Sequence, residues 1–284
     1  MQLPLTREAL PEVQWLESSP STNAAMRELV AERASMGVAA PHGLLLSTAD
    51  QTAGRGRQGR GWDTPPGTAL ASTLLIRPSQ IAAGLGLSWL PLLAGSAVVR
   101  ALQPLFMNED REARLRVGVK WPNDVHARNE DEAIAGKPGA KLCGILCEVL
   151  PTGEVAVGFG INMLLEDWQL PTERAGSVLA CGGNVGGAMS ITDPLGEVLA
   201  DQVLSVACAE LLSLVELAAT QPERARTRVL RDSLTLGAEV RVHLPGGEIV
   251  DGRAVGLGDD GALIVDRPTT GQLVVSAADV EHLR

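Results

Sequence analysis

Aromatic residues are scarce in this chain of 284 residues: phenylalanine, tryptophan and tyrosine make up 2% of it, and tyrosine is absent. Since 45% of the residues are apolar, the core has to consist of leucine, valine, alanine and isoleucine. No run of 18 consecutive apolar residues occurs, so we expect no membrane span. The first residues form neither a basic nor an apolar segment, so we expect no signal peptide. The length suits one large domain and a smaller one.

Cysteine and lysine are also rare, and the net charge is negative. The four cysteines form no CxxC pair and have no histidine cluster nearby, which disfavours a zinc site and predicts free thiols in a reducing cytoplasm. They are Cys143, Cys147, Cys181 and Cys208. The net charge of −10 argues against broad nucleic-acid binding, which needs a basic face. A codon preference for arginine accounts for the rarity of lysine, yet Lys120, Lys137 and Lys141 fall within 22 positions.

One segment concentrates positive charge on this acidic chain. Residues 48–62 read TADQTAGRGRQGRGW and space Arg55, Arg57 and Arg60 with glycines. Glycine lets the backbone approach a ligand closely, and arginine offers rigid multi-donor forks for carboxylates and phosphates. The spacing matches neither the Walker phosphate loop nor the dinucleotide fingerprint. The segment therefore predicts an anion-binding loop, with a solvated, disordered RGG-like stretch as the alternative.

The hydrophobic pattern predicts a mixed N-terminal part and a β-rich C-terminal part. Helices are predicted to begin at 21–23 and to occupy 85–105, 194–219 and 222–233, and strands to occupy 43–48, 68–77, 115–121, 140–150 and 153–161. Residues 129–140 read as an exposed loop insertion. From Gly237 onward, short β runs separated by turns predict a compact barrel. Strands joined by hairpins and then grouped helices favour an α+β fold, with domains at 1–234 and 235–284.

Three further segments carry polar side chains at turns and strand ends. Residues 21–23 (STN) either cap a helix or hold a neutral, amide-like ligand. Residues 119–124 (VKWPND) place a proline turn after a strand, which brings Asn and Asp side chains to one point. The lysine that begins 141–146 (KLCGIL) enters an apolar strand, where its burial requires an anionic partner. Glycines in 158–162 (GFGIN) would let a ligand approach the neighbouring strand.

In this order, STN, QTAGRGRQGRGW, KWPND, KLCGIL and GFGIN resemble the motifs of the bacterial biotin protein ligases, from about Ser18 to Asn162. That family ends in a small SH3-like barrel, so the layout extends the resemblance to the C-terminus. The resemblance implies a mixed or antiparallel sheet flanked by helices, as in class II aminoacyl-tRNA synthetases and biotin–lipoate ligases. It also implies an ATP-dependent ligase that forms biotinyl-5′-AMP and transfers biotin to a lysine of the biotin carboxyl carrier protein of acyl-CoA carboxylases.

The resemblance further implies a division of the site among named residues. Biotin is expected to contact Ser21, Thr22, Asn23, Gln51, Gly54, Arg55, Gly56, Arg57 and Lys141. ATP is expected to contact Arg55, Arg57, Arg60, Trp62, Lys120, Asn123 and Asn162. Catalysis is expected from Lys141, Arg57 and Asp124, the last orienting the attacking lysine or holding Mg²⁺. The Mg²⁺ ion is expected mainly on the ATP phosphates, so its protein ligands stay unassigned.

The chain departs from the family pattern at two places. Gln58 stands where the family loop often has another arginine, which lowers the charge of the loop. The insertion 129–140 brings in Lys137 as a second candidate for the catalytic lysine. Lys141 is preferred because it begins a strand, whereas Lys137 lies in a GKPG turn.

Other functions compete with this interpretation. A lipoate–protein ligase-like acyl-adenylate transferase or an octanoyl transferase would use the same catalytic fold. A non-catalytic module that binds biotin or a nucleotide would have the same pocket but would catalyse no reaction. A DNA-binding repressor is disfavoured, because only 20 residues precede Ser21 and a helix-turn-helix needs more. We therefore expect a short form without a DNA-binding domain: a cytoplasmic monomer or weak homodimer with no DNA or membrane partner.

Overall fold

The computed structural model describes residues 1–81, 84–107, 115–244, 246–276 and 278–283. Within them the α-helices are α1 (Pro4–Ala9), α2 (Thr22–Ser35), α3 (Leu90–Leu102), α4 (Glu130–Ile134), α5 (Pro194–Thr220) and α6 (Pro222–Asp232). The strands of the N-terminal part are β1 (Glu12–Trp15), β2 (Leu44–Thr48), β3 (Gly54–Arg55), β4 (Gly61–Trp62), β5 (Ala69–Ile76), β6 (Arg116–Lys120), β7 (Asp124–Arg128), β8 (Ala140–Val149) and β9 (Val155–Asn162). Those of the C-terminal part are β10 (Glu239–His243), β11 (Ile249–Leu257), β12 (Leu263–Arg267), β13 (Gly271–Val275) and β14 (Asp279–His282).

A seven-stranded sheet forms the centre of the N-terminal part. Its strand order is β1-β2-β5-β9-β8-β7-β6. The pair β1–β2 is parallel and every other pair is antiparallel, so the sheet is mixed, as predicted. The residues Leu150 to Glu154 close the predicted hairpin between β8 and β9. The order brings β7, β8 and β9 side by side, which are the strands that carry three of the polar motifs.

Helices cover both faces of this sheet, because its strands are apolar on both sides. In β2, Leu44 and Leu46 point into a small cluster with Met26 and Val30 of α2. Leu45 between them points into the large core formed with α3 and α5. This alternation follows from the two-residue period of a strand. The sheet is thus the middle layer, and α2 leaves part of its own face of the sheet uncovered.

The C-terminal part is a separate antiparallel sheet that packs directly on the first. Its strand order is β13-β12-β11-β10-β14, and an antiparallel sheet of five short strands is consistent with the predicted SH3-like fold. Two buried indoles join it to the N-terminal part: Trp89 donates to the carbonyl of Asp259 (2.7 Å) and Trp121 to that of Gly261 (3.0 Å). The predicted boundary between residues 234 and 235 stays a prediction, and Pro245 of the predicted PGG turn lies outside the described residues.

The structure corrects the predicted elements in three places. The helix predicted over 85–105 is α-helical only over α3, between 3₁₀ turns, because Pro104 lacks the N–H that would continue it. The 129–140 insertion is not wholly a loop, since Asn129 and Glu132 cap each other's backbone N–H groups at the start of α4. At the third place, β7 begins at Asp124, the last residue of KWPND, where only a turn was predicted. In addition, α1 and β1 were not predicted.

Two helical segments are long and apolar enough to cross a membrane by length and composition alone. They are Leu87–Phe106 and Pro194–Thr220. Inside the molecule, 72% of the apolar stretch of the first segment is buried, against 44% for the second. Both pack on the sheet or on each other. Length and composition are weak evidence for a span, because the core helix of a globular protein passes the same test.

Candidate active site

A cavity of about 910 Å³ opens on the face of the sheet that α2 leaves uncovered. The structure brings most of the predicted site residues together around it. Those that line the cavity are Ser21, Thr22, Asn23, Gln51, Arg55, Gly56, Arg57, Arg60, Trp62, Lys120, Asn123, Asp124 and Lys141. They come from the start of α2, the β3–β4 hairpin, the turn after β6, and the strands β7 and β8.

Two glycines of β9 line the cavity and leave room for the side chains that lie over them. A Cβ on Gly158 would lie 2.4 Å from Oδ1 of Asn23, and one on Gly160 would lie 2.7 Å from the indole of Trp62. Both positions pair with β8 across the sheet, so the backbone is held in place. The GFGIN motif therefore lets the side chains of Asn23 and Trp62 pack directly against β9 beside the cavity.

The start of α2 presents a compact polar cluster at one end of the cavity. The backbone N–H of Thr22 donates to Oε1 of Gln51 (2.8 Å), and Nδ2 of Asn23 donates to Glu148 (2.7 Å). The hydroxyl of Thr73 lies 2.7 Å from Oδ1 of Asn23. Ser21 caps the helix through its side chain, as the capping interpretation predicted, and lines the cavity as well. The cluster holds both donors and acceptors and suits a small uncharged polar ring.

The glycine–arginine loop forms a short hairpin at the edge of the cavity. Strand β3 pairs with β4, and Arg57 donates to Oδ1 of Asn123 (3.1 Å), whose own Nδ2 donates to the carbonyl of Ile145 (2.7 Å). Arg60 pairs with Asp279 of β14. The loop is thus tied to the KWPND turn on one side and to the C-terminal part on the other.

The lysine of KLCGIL has the predicted anionic partner, although its side chain stays 38% exposed. Nζ of Lys141 lies 2.7 Å from Oδ1 of Asp124. Val125 pairs with Cys143, but His126 pairs with Lys141, so β8 carries Leu142 as an extra residue at a bulge. In a regular ladder Leu142 would face the cavity and Lys141 the core. The bulge reverses this and puts Lys141 on the same face as Asp124 and His126.

Charge and burial act in opposite directions on the Asp124 carboxyl. Burial alone would raise its pKa, but the facing side chains of His126 and Lys141 outweigh burial and lower the pKa to about 2. Burial lowers the pKa of Lys120, whose ammonium donates to the carbonyl of Val280 (2.7 Å). Burial, with Lys120 and His126 nearby, lowers the pKa of His282 to about 3. The site therefore holds a charged ion pair beside two neutral imidazoles.

Two predicted residues do not line the cavity. Gly54 lies beneath it, where a Cβ would collide with the carbonyl of Trp62 at 2.3 Å, so its part is to let β3 and β4 pair closely. Asn162 is 9% exposed, and its Nδ2 donates to the carbonyl of Gly176 (2.8 Å), so it fixes the segment after β9. Direct ligand contact by either stays a prediction.

Sequence reasoning missed several residues that line the cavity. They are His126, Glu132, Glu173, Arg174, Asp279, Glu281 and His282. Lys137, the second candidate lysine, also lines it, from an exposed position after α4. The two-residue spacing of Asp124 and His126 was a usable signal once β7 is recognised as a strand. No comparable signal marks Asp279, Glu281 and His282, because a distant strand brings them to the site.

Comparisons with known proteins agree with this geometry. The biotin/lipoate A/B protein ligase family matches residues 18–163, and the biotin protein ligase C-terminal domain matches residues 235–283. A biotin–[acetyl-CoA-carboxylase] ligase of Mycobacterium tuberculosis is 36% identical over 247 residues, which cover 85% of this chain and 80% of that protein.

The chain belongs to the biotin protein ligase family.

Solved structures of biotin protein ligases share the fold of this ligase. The Aquifex aeolicus enzyme in complex with biotin and ATP has a TM-score of 0.69 at 23% identity, covering 96% of this chain and all of that one (100%). The Leishmania major enzyme in complex with biotinyl-5-AMP has a TM-score of 0.57 at 22% identity, covering 96% and 99% of the two chains. The predicted fold class and family are thereby confirmed.

Because the pKa of Asp124 is lowered on folding, part of the ligase's free energy of unfolding depends on pH. A carboxyl whose pKa is lowered on folding stabilises the protein above its unfolded pKa, and the contribution disappears as the pH falls towards the folded value of about 2. We expect Asp124→Asn to lower the free energy of unfolding by about 2 kcal/mol near neutral pH and by progressively less between about pH 4 and pH 2. Denaturant melts of both proteins across this range test it. A difference that does not change with pH would contradict the ion pair.

Proposed function

We propose that this ligase joins biotin to a lysine of the biotin carboxyl carrier protein of an acyl-CoA carboxylase. In the first step the biotin carboxylate attacks the α-phosphorus of ATP, which gives biotinyl-5′-AMP and pyrophosphate. In the second step the carrier lysine attacks the mixed anhydride, and AMP leaves. One observation carries the proposal: the polar cluster of α2, the arginine hairpin and the Lys141–Asp124 pair surround a single cavity.

The cavity contains the cations that the first step requires. A carboxylate and a phosphate repel each other unless preorganised positive charge lies between them. Lys141 is held at the centre of the cavity by Asp124, and Arg57 is held by Asn123. We assign Lys141 to the biotin carboxylate and the adenylate linkage, and Arg57 with Arg55 to the phosphate. Arg60 and Lys120, further towards β14, suit the triphosphate side.

The polar cluster of α2 favours biotin over lipoate as the acid. Biotin's ureido ring can accept and donate hydrogen bonds, and Ser21, Thr22 and Asn23 offer both. The dithiolane of lipoate has no N–H or carbonyl, so Thr22 and Asn23, which are 4% and 6% exposed, would be buried against it without new partners. Biotin would gain hydrogen bonds with this cluster that lipoate cannot form, and each such bond contributes about 0.5–1.5 kcal/mol.

The strand β14 gives the C-terminal part a direct place at the site. Asp279 holds Arg60, the carbonyl of Val280 holds Lys120, and His282 lines the cavity. We assign this strand to the ATP side, where it extends the wall of the cavity next to the arginine hairpin.

We assign the magnesium ion to the nucleotide rather than to a site on the protein. No group of three or more His, Cys, Asp or Glu side chains in the described part of the chain could hold a metal ion. Asp124 already pairs with Lys141, so we assign Mg²⁺ mainly to the ATP phosphates, where it neutralises charge.

The thiols of Cys143 and Cys208 are buried and free, which supports a reducing cytoplasm.

The function is tested by pyrophosphate release. With ATP and Mg²⁺, the purified chain should release pyrophosphate when biotin is added and should then label a carrier domain. Lipoate at the same concentration should give little release, because its dithiolane cannot form hydrogen bonds with the polar cluster of α2. Equal release with both acids would favour a lipoate–protein ligase-like transferase, and binding of biotin without release would indicate a non-catalytic module.

The role of Lys141 gives a second prediction. Lys141→Ala should slow adenylate formation by roughly 10²-fold, because its charge matters most as negative charge gathers in the transition state. Binding of a neutral biotin analogue should change far less. Stopped-flow pyrophosphate release and calorimetry measure the two quantities.

Lys137→Ala is the matched control for this measurement. Its side chain is exposed and follows the short helix α4, so the variant should adenylate biotin close to the wild-type rate. A large loss with Lys137→Ala together with a small loss for Lys141→Ala would move the catalytic role to the insertion.

A further inference from the structure

One buried side chain at the site has no use in the mechanism above. His126 is 4% exposed and lines the cavity on β7, two residues after Asp124. Its Nδ1 lies 3.1 Å from the carbonyl oxygen of Gly139. Its Nε2 is buried without a hydrogen-bond partner and faces Oδ2 of Asp124 at 3.9 Å. A buried nitrogen next to a reacting centre calls for a function.

The contact with Gly139 fixes which nitrogen carries the proton. A carbonyl oxygen only accepts, so Nδ1 must be the N–H of the ring, and in the neutral ring Nε2 holds a lone pair. Burial lowers the pKa of His126, although the Asp124 carboxylate opposes this effect, so the ring is neutral at neutral pH. The resting site therefore holds an unprotonated nitrogen aimed at a carboxylate.

The charged groups around His126 come from every neighbouring strand. Lys120 lies at the end of β6, Asp124 on β7 itself and Lys141 directly across on β8. His282 comes from β14, close enough for the two imidazoles to influence each other. Of these, Asp124 alone is negative, and its two oxygens face different partners: Oδ1 lies 2.7 Å from Nζ of Lys141 and Oδ2 lies 3.9 Å from Nε2 of His126.

The transfer step needs a proton acceptor that the site has not yet supplied. A lysine arrives as an ammonium and cannot attack until one proton is removed. Asp124 faces the cavity, but it is a poor final acceptor because its carboxylate is already paired with the Lys141 ammonium at 2.7 Å. We propose that His126 is the final acceptor and works through Asp124: the carboxylate passes a proton from the incoming ammonium to Nε2.

The protons and charges of this step balance. The neutral amine attacks the carbonyl carbon of biotinyl-5′-AMP, a C–N bond forms, and the C–O bond to phosphate breaks with its electrons on AMP. The ammonium loses two protons in all. One goes through Asp124 to His126, and the other leaves the new amide nitrogen for the AMP phosphate or water. Protonated His126 then faces Asp124 with an N–H donor, so the unpartnered nitrogen gains a partner. The relay returns this proton to solvent once the product leaves.

The relay rests on the proposed function and can be separated from it by assaying each step. His126→Gln keeps an N–H that can reach the carbonyl of Gly139 but cannot take up a proton. Adenylate formation is measured as pyrophosphate release. Transfer from preformed biotinyl-5′-AMP is measured to the carrier lysine and, separately, to hydroxylamine, whose nitrogen is already unprotonated at neutral pH. His42→Gln, at a half-buried histidine that accepts from the N–H of Arg77, is the matched control.

We expect His126→Gln to slow transfer to the carrier lysine by roughly 10-fold or more near pH 7. Adenylate formation and transfer to hydroxylamine should stay close to the wild-type rates, as should all three activities of His42→Gln. The loss in transfer rate should shrink as the pH rises towards the pKa of the carrier lysine, because an amine that is already neutral needs no proton acceptor before it attacks. His126 does not touch the substrate, and a purely structural role would not produce this pH dependence.

Three results would overturn the relay. Unchanged lysine transfer in His126→Gln would show that no proton passes to this ring. Equal losses with lysine and hydroxylamine, or a loss that does not change with pH, would assign His126 to the shape of the site, and a normal thermal melt would separate this from unfolding. If His282→Gln alone gave the selective loss, the acceptor would be the imidazole of β14. Absence of biotin-dependent pyrophosphate release in the wild type would instead refute the proposed function.

Discussion

The ion pair between Lys141 and Asp124 is the constraint on which the rest of the site depends. A lysine in an apolar strand is tolerated only with an anion beside it, and Asp124 lies there because β7 pairs with β8. The bulge at Leu142 then decides the outcome, since it sends Leu142 to the core and Lys141 to the cavity. One extra residue in one strand thus converts a structural position into a site for an anionic ligand.

Charged side chains also connect the two parts of the chain. Arg60 pairs with Asp279 and Lys120 donates to Val280, so two cations of the N-terminal part are held by β14. The indoles of Trp89 and Trp121 donate to the C-terminal sheet on the other side of this contact. The two sheets therefore share a continuous core, and the C-terminal part stabilises the cavity as well as lining it.

The sequence was most informative where the chemistry is local. Glycines and arginines in one loop, the STN helix start and the lysine of KLCGIL predicted an anion site and a polar head group, and the structure places them around one cavity. The strand β7 was not predicted, because VHAR after the proline turn is too short and too polar to stand out, and with it His126 was missed. The capping pair Asn129 and Glu132 was a readable signal that was overlooked. The residues of β14 could not be found, because only tertiary packing brings them to the site.

The most direct test of the central claim is a double-mutant cycle on adenylate formation with Asp124→Asn, Lys141→Ala and the combined variant. If Asp124 serves this step by holding Lys141 in place, each single variant is slow and the double variant is no slower than Lys141→Ala alone. The coupling should then equal the whole effect of Asp124→Asn, within the range of about 0.5–3 kcal/mol typical of contacting residues. If the two losses multiply in the double variant, the residues act independently, and the ion pair is not what organises this site.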